Sequence, residues 1–468
     1  MQKKDLPERR LTFLQALITV MTMAIFILLA VLAWDLPIHL ALFFELVVTS
    51  SLAFYWGYSW AEIEEMLFAS FQNIGSLISI LLMVGMLIGI WMEGGTIPSL
   101  IYYGIKLIDP EYFLVLVFLL VTIVSMAVGT AVGTASVIGL ALISVARGLN
   151  FPLPLVAGAI ISGSYIGDRM SPVAPIANML AFSSGLDINR MFKEMLPSIS
   201  LPYLLTLIAY LLAGLFFLPG GASLTPAGDL LQGLVTNFTI TPFLLLPPLL
   251  IIVLAFLRLP TIPNLAISVI LSLGLGVVLG GRDGISLLLS MYSGFQGATD
   301  IALLNQILAR GGLLNMLDLI AMIILAVLLG GLFEELGVLQ SILGRLIQGI
   351  KTKSQLMLTT MLSSMITAMV SCNLLLSVYL PGRMMAAKYD QLKVPRKDLA
   401  RALGDSGLII SPLIPWNING LMMTGILGIS TLQYLPFSFL QFFLPLATTF
   451  YALVSNRSRD ENTGEISS

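Results

Sequence analysis

The sequence predicts an all-α polytopic membrane protein with roughly eleven to thirteen transmembrane helices. Hydrophobic residues make up 57% of the 468 residues and charged residues only 10%, and the mean hydropathy is +0.98. A soluble domain carries about a quarter charged residues, so this composition excludes one. Apolar runs close to the length of about 20 residues that a spanning helix needs recur along the whole chain.

The candidate spans are separated by short polar segments, and some segments are interrupted by glycine and proline. The spans lie at 11–33, 40–59, 74–92, 112–128, 131–147, 195–218, 234–257, 263–281, 315–333, 355–370 and 432–454. Shorter, interrupted segments near 153–168, 374–387 and 405–428 leave room for re-entrant elements. We therefore expect a cytoplasmic N-terminus (1–10), a first transmembrane half (11–217), a linker (218–233), a second half (234–454) and a disordered tail (455–468).

Several function classes have no support in the sequence. The formal net charge of −2 comes without a basic domain, so no nucleic-acid partner is expected. One histidine and one cysteine cannot form a zinc site or an intrachain disulfide. The chain lacks the GxxxxGK[ST] loop of ATP-driven pumps, and an enzyme site could use only Asp, Glu or Ser with Lys or Arg. We expect neither an enzyme nor a bound cofactor.

Positive residues predict the orientation in the membrane. Basic residues cluster before the first span, from Lys3 to Arg10, again from Arg345 to Lys353, and again from Arg383 to Arg401. All three clusters are assigned to the cytoplasm, and the N-terminus is interpreted as retained rather than cleaved. The chain between the second and third clusters must then cross an even number of times or turn back, with a break near Ser371-Cys372-Asn373.

Two short motifs recur in order and predict an internal repeat. Gly89–Gly95 matches Gly331–Gly337 in its glycine, aromatic and glutamate positions, at a separation of 242 residues. Ser171–Pro175 matches Ser411–Pro415 at a separation of 240 residues. Hydrophobic segments interrupted at corresponding places in two halves indicate a secondary-transporter site. The match does not distinguish inverted from parallel repeats.

The most unusual segment for a membrane chain is Gly163–Asn178, which contains Asp168, Arg169 and two prolines. Ionisable groups and interrupted backbone are costly at membrane depth and usually mark function. Asp168 is predicted to bind a cation or carry a proton. Arg169 is predicted to pair with Asp168 or with an anionic substrate, and the alternative is a structural ion pair.

Three other carboxylates are weaker candidates. Glu93 and Glu335 end apolar spans at matching places, so they are predicted to bind Na⁺ or H⁺, with helix-end carboxylates at the headgroups as the alternative. Of the neighbouring acids, Glu334 is expected to be the exposed one. Asp405 follows the third basic cluster and could bind a cation, neutralise the cluster or cap a helix.

Hydroxyl and amide side chains near the interrupted segments are candidate neutral ligands, because oxygen donors suit alkali cations. The alternative for the Gly-Thr repeat is close packing of small residues. The predicted neutral ligands are Thr130, Thr134, Ser171, Asn373, Ser411 and Asn417. The predicted Na⁺ ligands among all candidates are Asp168, Thr130, Thr134 and Asn373.

Four segments carry a family resemblance. GTAVGTASVIG, PLPLVAGAIISGSYIGDRMSP, YLPGRMMAAKY and ISPLIPWNING resemble the NhaC-type Na⁺/H⁺ antiporters. The resemblance implies two inverted repeats with re-entrant hairpins, a scaffold part and a mobile part, a bacterial plasma membrane and a possible homodimer. Family members commonly read SPLSDTT where Val173–Asn178 stands here, so Pro175 and Ile176 replace an acid and a hydroxyl.

The expected function is therefore Na⁺/H⁺ antiport by alternating access, with Na⁺ and H⁺ competing for one site centred on Asp168, or on Glu335 as second choice. The missing polar residues leave the identity of the exchanged solute open. Some members of the resembled family exchange malate entering with protons for lactate leaving with Na⁺. Such an organic-acid exchanger, with Arg169 or Arg383 facing the carboxylate, is the alternative.

Overall fold

The computed structural model describes residues 10–30, 36–71, 74–107, 109–217, 225–295 and 311–464. Throughout these ranges the regular structure is helical, and no β-strand occurs in them, so the all-α prediction is confirmed. Large apolar side chains such as Leu14, Phe43, Leu204 and Ile270 are exposed. A surface of this kind suits contact with lipid.

The helices are numbered here in chain order. Before residue 218 they are α1 Phe13–Leu28, α2 Ile38–Tyr55, α3 Trp60–Phe71, α4 Gly75–Glu93, α5 Thr96–Leu107, α6 Phe113–Val128, α7 Ala131–Thr134, α8 Leu140–Gly148, α9 Leu153–Met170, α10 Pro175–Ser184 and α11 Ile188–Phe216. A π-helical stretch, Ala135–Gly139, joins α7 to α8.

The second set begins after residue 224. It comprises α12 Thr225–Asn237, α13 Leu246–Phe256, α14 Thr261–Val278, α15 Gly284–Ser293, α16 Leu317–Glu335, α17 Val338–Ile347, α18 Lys353–Ser371, α19 Leu374–Gln391, α20 Arg396–Gly404, α21 Gly407–Ile410, α22 Ile418–Leu427, α23 Thr431–Tyr434 and α24 Phe439–Gly464. Short 3₁₀ turns lie at Pro110–Tyr112, Pro242–Leu245, Leu314–Met316, Ser411–Leu413 and Leu435–Phe437.

In the described residues, seven helices are long and apolar enough to cross a membrane, or up to nine if two bent pairs are each one span. The expected number of crossings was higher, because apolar composition does not show where a run is interrupted. The run predicted at 234–257, for example, is bent by 98° between Leu231–Asn237 and Pro242–Phe256. The first piece ends at Asn237, and Pro242 starts the second piece, where a proline is tolerated because the first turn of a helix needs no amide donor.

The segment that looked most interrupted is partly regular. Helix α9 continues through Asp168 and Arg169, and the break begins only at Ser171. Its glycines let α9 approach α6 closely, since a Cβ on Gly163 would lie 2.9 Å from Cβ of Val121. The Ser125 hydroxyl donates to the carbonyl of Ser164 and accepts from the Gly167 amide at 2.8 Å. Close packing thus explains glycines that suggested a broken helix.

The expected boundaries between halves are only partly described. Residues 218–224 of the expected linker, and 1–9 and 465–468 of the termini, lie outside the described residues. Residues 225–233 of the expected linker belong to helix α12. Helix α24 extends to Gly464, beyond the start of the tail that was expected to be disordered.

Helices α18 and α19 form an antiparallel hairpin with its tip at Cys372-Asn373. The Ser364 hydroxyl donates to the Ser377 carbonyl at 2.8 Å, and the Thr360 hydroxyl lies 3.2 Å from the Tyr389 hydroxyl. The chain therefore turns back where the basic clusters predicted a turn or a pair of crossings. A left-handed residue ends α18, because Cys372 has φ 55°.

Helix α6 and the helix at 131–148 form a second hairpin. The rings of Phe113, which begins α6, and Phe151, which follows α8, have centroids 5.2 Å apart. Gly129, with φ 77°, ends α6 in the left-handed region, as Cys372 ends α18. These two left-handed residues are 243 positions apart, which is close to the separation of the sequence motifs.

Candidate functional site

A cavity of about 580 Å³ lies where the two hairpin tips meet the ends of several other helices. Its volume falls in the range of small-molecule sites. Polar side chains lining it come from both halves of the chain. They are Ser70, Ser76, Thr130, Asp168, Thr261, Glu334, Ser371, Asn373 and Asn419.

Asp168 is the best-enclosed acid of this cavity. It occupies the last turn of α9, is only 5% exposed, and lies close to the backbone of Ala131 at the start of α7. Among the described lining residues, Asp168 and Glu334 are the charged ones. The carboxylate thus faces a cavity whose described lining contains no basic side chain.

The two hairpin tips place a hydroxyl and an amide beside Asp168 in the same cavity lining. Thr130 Oγ1 accepts from the Gly133 amide at 3.1 Å. Asn373 Oδ1 accepts from the amides of Leu375 and Leu376 at 3.0 and 3.4 Å. Each side chain caps the helix that follows its break, so the cap also fixes an oxygen atom at the cavity wall.

Several helices begin at the cavity wall. Ala131 of α7, Pro175 of α10, Leu374 of α19 and Ile418 of α22 all belong to its lining. A helix N-terminus carries partial positive charge, which stabilises anions. The cavity can therefore accommodate a cation at its carboxylates and an anionic group at its helix ends.

Four predicted neutral ligands lie outside the described lining and bond to nearby backbone. Thr134, Ser171, Ser411 and Asn417 donate to the carbonyls of Thr130, Met126, Leu408 and Ala368 at 2.8, 2.7, 3.0 and 2.7 Å. All four residues are buried. Their polar atoms form hydrogen bonds with backbone carbonyls near the interrupted segments. These bonds stabilise the breaks, and the four residues are not part of the described cavity lining.

Arg169 and Asp405 lie together, also outside the cavity lining. Arg169 Nη2 and Nε lie 2.6 and 2.7 Å from Asp405 Oδ1, and both side chains are fully buried. Arg169 therefore does not pair with its neighbour Asp168. The arrangement is the structural ion pair that the sequence left as an alternative, with a partner 236 residues away.

The helix-end glutamates lie at two different places. Glu93 is 3.7 Å from Arg282 Nε, away from the cavity lining. Glu335 is exposed and also outside that lining, whereas its exposed neighbour Glu334 belongs to it. Sequence reasoning therefore selected the member of the pair that faces away from the cavity.

Asn419 is a cavity residue that the sequence prediction passed over in favour of Asn417. Asn417 Oδ1 accepts from the backbone and side-chain nitrogens of Asn419, at 2.9 and 3.1 Å. Asn417 thus caps α22 and orients Asn419. The Asn-Ile-Asn spacing at a helix start could have suggested a cap followed by a second amide available to the cavity.

The sequence is similar to that of known antiporters. The Na⁺/H⁺ antiporter family model matches residues 163–455. A malate-2H⁺/Na⁺-lactate antiporter of Bacillus subtilis (strain 168) is 36% identical over 87% of each chain. The Na⁺/H⁺ antiporter NhaC of the same organism is 31% identical over 89% of this chain and 92% of its own.

A third relative exchanges a different kind of solute. The arginine/ornithine antiporter ArcD of Halobacterium salinarum is 30% identical over 94% of this chain and 91% of its own. The shared feature of these relatives is antiport rather than one solute. The chain belongs to the Na⁺/H⁺ antiporter (NhaC) family, and is therefore a multi-pass membrane transporter and not an enzyme.

Proposed function

We propose that this antiporter exports Na⁺ in exchange for H⁺ across a bacterial plasma membrane, with both cations competing for Asp168. The observation that carries the proposal is the enclosed carboxylate of Asp168 at the meeting point of two helix breaks. One carboxylate can hold a Na⁺ ion or a proton but not both fully. Competition for one site couples the two fluxes, because each cation must leave before the other binds.

Thr130 and Asn373 are the neutral ligands that the cavity supports best, and Asn419 joins them. All three residues contribute to the same lining as Asp168. Hydroxyl, amide and freed carbonyl oxygens are the donors that replace the hydration shell of an alkali cation. Thr134 stays in the proposal only as a residue that orients the Thr130 carbonyl, through its hydrogen bond of 2.8 Å.

We further infer that the halves are inverted repeats that support alternating access. Three further pairs of left-handed residues recur at separations of 242 or 243 residues, namely Gly95 with Gly337, Asn150 with Lys393, and Gly185 with Gly428. Ser76, at the start of α4, and Glu334, at the end of the corresponding α16, line the same cavity. Equivalent helices thus approach it from opposite ends, as an inverted repeat requires.

The cavity is proposed to face the cytoplasm. The Leu11 amide donates to the Leu336 carbonyl at 3.1 Å, so the N-terminal segment lies beside the end of α16 that contributes Glu334. Arg345 also lies on this side, with its guanidinium 4.6 Å from the ring of Phe13. Basic residues at this end favour a cytoplasmic assignment.

A second candidate is Na⁺- and H⁺-coupled exchange of small carboxylates. It is favoured by the converging helix N-termini and by the cavity volume of about 580 Å³, which exceeds what one Na⁺ ion needs. The relative that is 36% identical carries malate and lactate. Arg169 does not serve this candidate, because Asp405 holds it outside the described lining.

Purified protein in proteoliposomes separates the two candidates. With a pH-sensitive dye inside the vesicles, an imposed Na⁺ gradient is expected to drive proton movement in the opposite direction without added organic acid. Proton movement that requires malate or lactate, together with counterflow of the labelled acids, supports the second candidate instead. Absence of both activities in well-incorporated protein excludes both.

Glu334 and Glu335 provide a matched test of the cavity itself. Glu334→Gln is expected to raise the half-saturating Na⁺ concentration by about threefold to tenfold, because it removes one charge from the cavity wall. Glu335→Gln removes the same charge one residue away, outside the lining, and is expected to change it less than about twofold. Sodium titrations of dye quenching in the two variants give the comparison. A larger effect in Glu335→Gln would indicate that Glu335, as the sequence predicted, interacts with the cation and that Glu334 does not.

A further inference from the structure

The fully buried pair of Arg169 and Asp405 ties four helices together. Besides its bonds to Asp405, Arg169 Nη2 donates to the hydroxyl of Ser198 on α11 at 2.9 Å. Asp405 ends α20, and its second oxygen, Oδ2, accepts from the hydroxyl of Thr448 on α24 at 2.6 Å. The last turn of α9, which contains Asp168, is thus anchored to α11, α20 and α24.

We propose that Asp405 is a positioning residue for cation exchange, which holds Arg169 and thereby fixes the direction in which Asp168 faces the cavity. This inference rests on the proposed role of Asp168. Consecutive residues of an α-helix point about 100° apart around its axis. Fixing Arg169 on one side of the last turn therefore fixes Asp168 on another, towards the two hairpin tips.

Asp405 acts at a distance from the cation. It is 0% exposed, and neither it nor Arg169 belongs to the described cavity lining. Its carboxylate is also surrounded by partners within the cluster, because Arg401 Nε lies 3.8 Å from Asp405 Oδ2 and donates to Thr448 Oγ1 at 3.1 Å. A group enclosed in this way can orient a ligand residue but cannot contact the transported ion.

The same helix offers a matched control. Asp398, also on α20, is 2% exposed and lies 2.8 Å from Lys353 Nζ. It forms a buried ion pair like that of Asp405, but its described contacts are to Lys353 and Tyr451 rather than to α9. Any general cost of neutralising a buried aspartate on α20 is therefore shared by both positions.

The test compares Asp405→Asn with Asp398→Asn in proteoliposomes. Asp405→Asn is expected to raise the half-saturating Na⁺ concentration by about 10- to 100-fold, the range for losing a residue that orients a metal ligand. Asp398→Asn is expected to lower the amount of folded protein or the maximal rate without that change. Thr448→Val, which keeps every charge and removes one bond to Asp405, is expected to give a smaller, several-fold rise and serves if Asp405→Asn does not fold.

A second measurement does not require transport. Dicyclohexylcarbodiimide modifies protonated carboxyl groups in membranes, and mass spectrometry can locate the adduct at Asp168. The modification rate of Asp168, and its protection by Na⁺, are expected to change in Asp405→Asn and Thr448→Val but not in Asp398→Asn.

The outcomes separate the two proposals. If wild-type protein does not exchange Na⁺ for H⁺, the proposed function fails, and the carbodiimide comparison still decides whether Asp405 positions Asp168. If wild-type protein is active while the Asp405 and Thr448 variants keep the wild-type Na⁺ dependence and labelling, the positioning role is wrong. Equal shifts in the Asp398 and Asp405 variants also contradict it, because they indicate a general structural effect.

Discussion

Asp168→Asn is expected to abolish Na⁺-driven proton movement. Asparagine keeps the size and an oxygen of aspartate but cannot carry a proton, so the exchange loses its second cation rather than merely slowing. Removing a contact to a charged group also costs about 1.5–3 kcal/mol, which corresponds to a roughly 10- to 150-fold loss of Na⁺ affinity. Asp168→Glu retains the charge at a different distance and is expected to keep a small part of the activity.

Dye quenching in proteoliposomes with an imposed Na⁺ gradient measures this effect. Asp318→Asn is the matched control, because Asp318 lies on α16 with its side chain 72% exposed and its Oδ1 3.7 Å from Nδ1 of His39. Exposed pairs of this kind contribute little, so the control is expected to behave as wild type. If Asp168→Asn still couples Na⁺ to proton movement, another acid carries the proton, and Glu334 is the next residue to test.

The sequence predicted the centre of this site because the centre depends on local chemistry. Asp168 and Thr130 are polar residues next to glycine- or proline-interrupted apolar segments, Asn373 lies at the turn that the basic clusters predicted, and all three line the cavity. A membrane chain can place such groups only where protein or water covers them. The sequence therefore indicated three residues of the cavity lining, and their role as cation ligands stays a prediction.

The neutral ligands predicted outside the cavity show what local chemistry cannot reveal. A serine or threonine in a helix can bond to a carbonyl of its own turn, as Thr134 does with Thr130, or face a ligand. The choice depends on the neighbouring helices, which the spacing of residues does not determine. The same uncertainty applies to Glu334 and Glu335, where helix packing decides which of two adjacent acids faces the cavity.

The sequence did not predict Asp405 as the partner of Arg169, for a related reason. Asp168 is its neighbour in sequence, yet the helical rotation separates the two side chains, and Asp405 reaches Arg169 from the other half of the chain. The two helix breaks also differ in how clearly the sequence indicates them. A glycine at 129 is readable as a left-handed residue, whereas the cysteine at 372 adopts the same conformation with φ 55° and lacks the usual signature.

Gly129→Ala is expected to destabilise the protein and to reduce transport strongly. With φ 77°, an alanine here adopts a backbone conformation that costs about 1–2 kcal/mol. Its Cβ would also lie 2.6 Å from Val173 Cγ2 and 3.2 Å from the Ala174 amide nitrogen, and such overpacking adds about 1–3 kcal/mol. Relief of the clash moves either the tip that holds Thr130 or the Val173–Ala174 turn that precedes the lining residue Pro175, so the cavity changes with the fold.

Gly185→Ala separates the cost of the left-handed backbone conformation from the cost of the steric overlap. Gly185 has a similar φ of 67°, but a Cβ there meets no atom within 4 Å, and the residue is not part of the described cavity lining. Thermal unfolding in detergent is expected to show a small decrease in Tm for Gly185→Ala and a larger one for Gly129→Ala, with transport lost only in the latter. Equal decreases would show that backbone conformation alone matters. A normal Tm and normal transport in Gly129→Ala would contradict the close packing of the hairpin tip at Gly129 against Val173. It would also contradict the idea that this packing holds Thr130 beside Asp168.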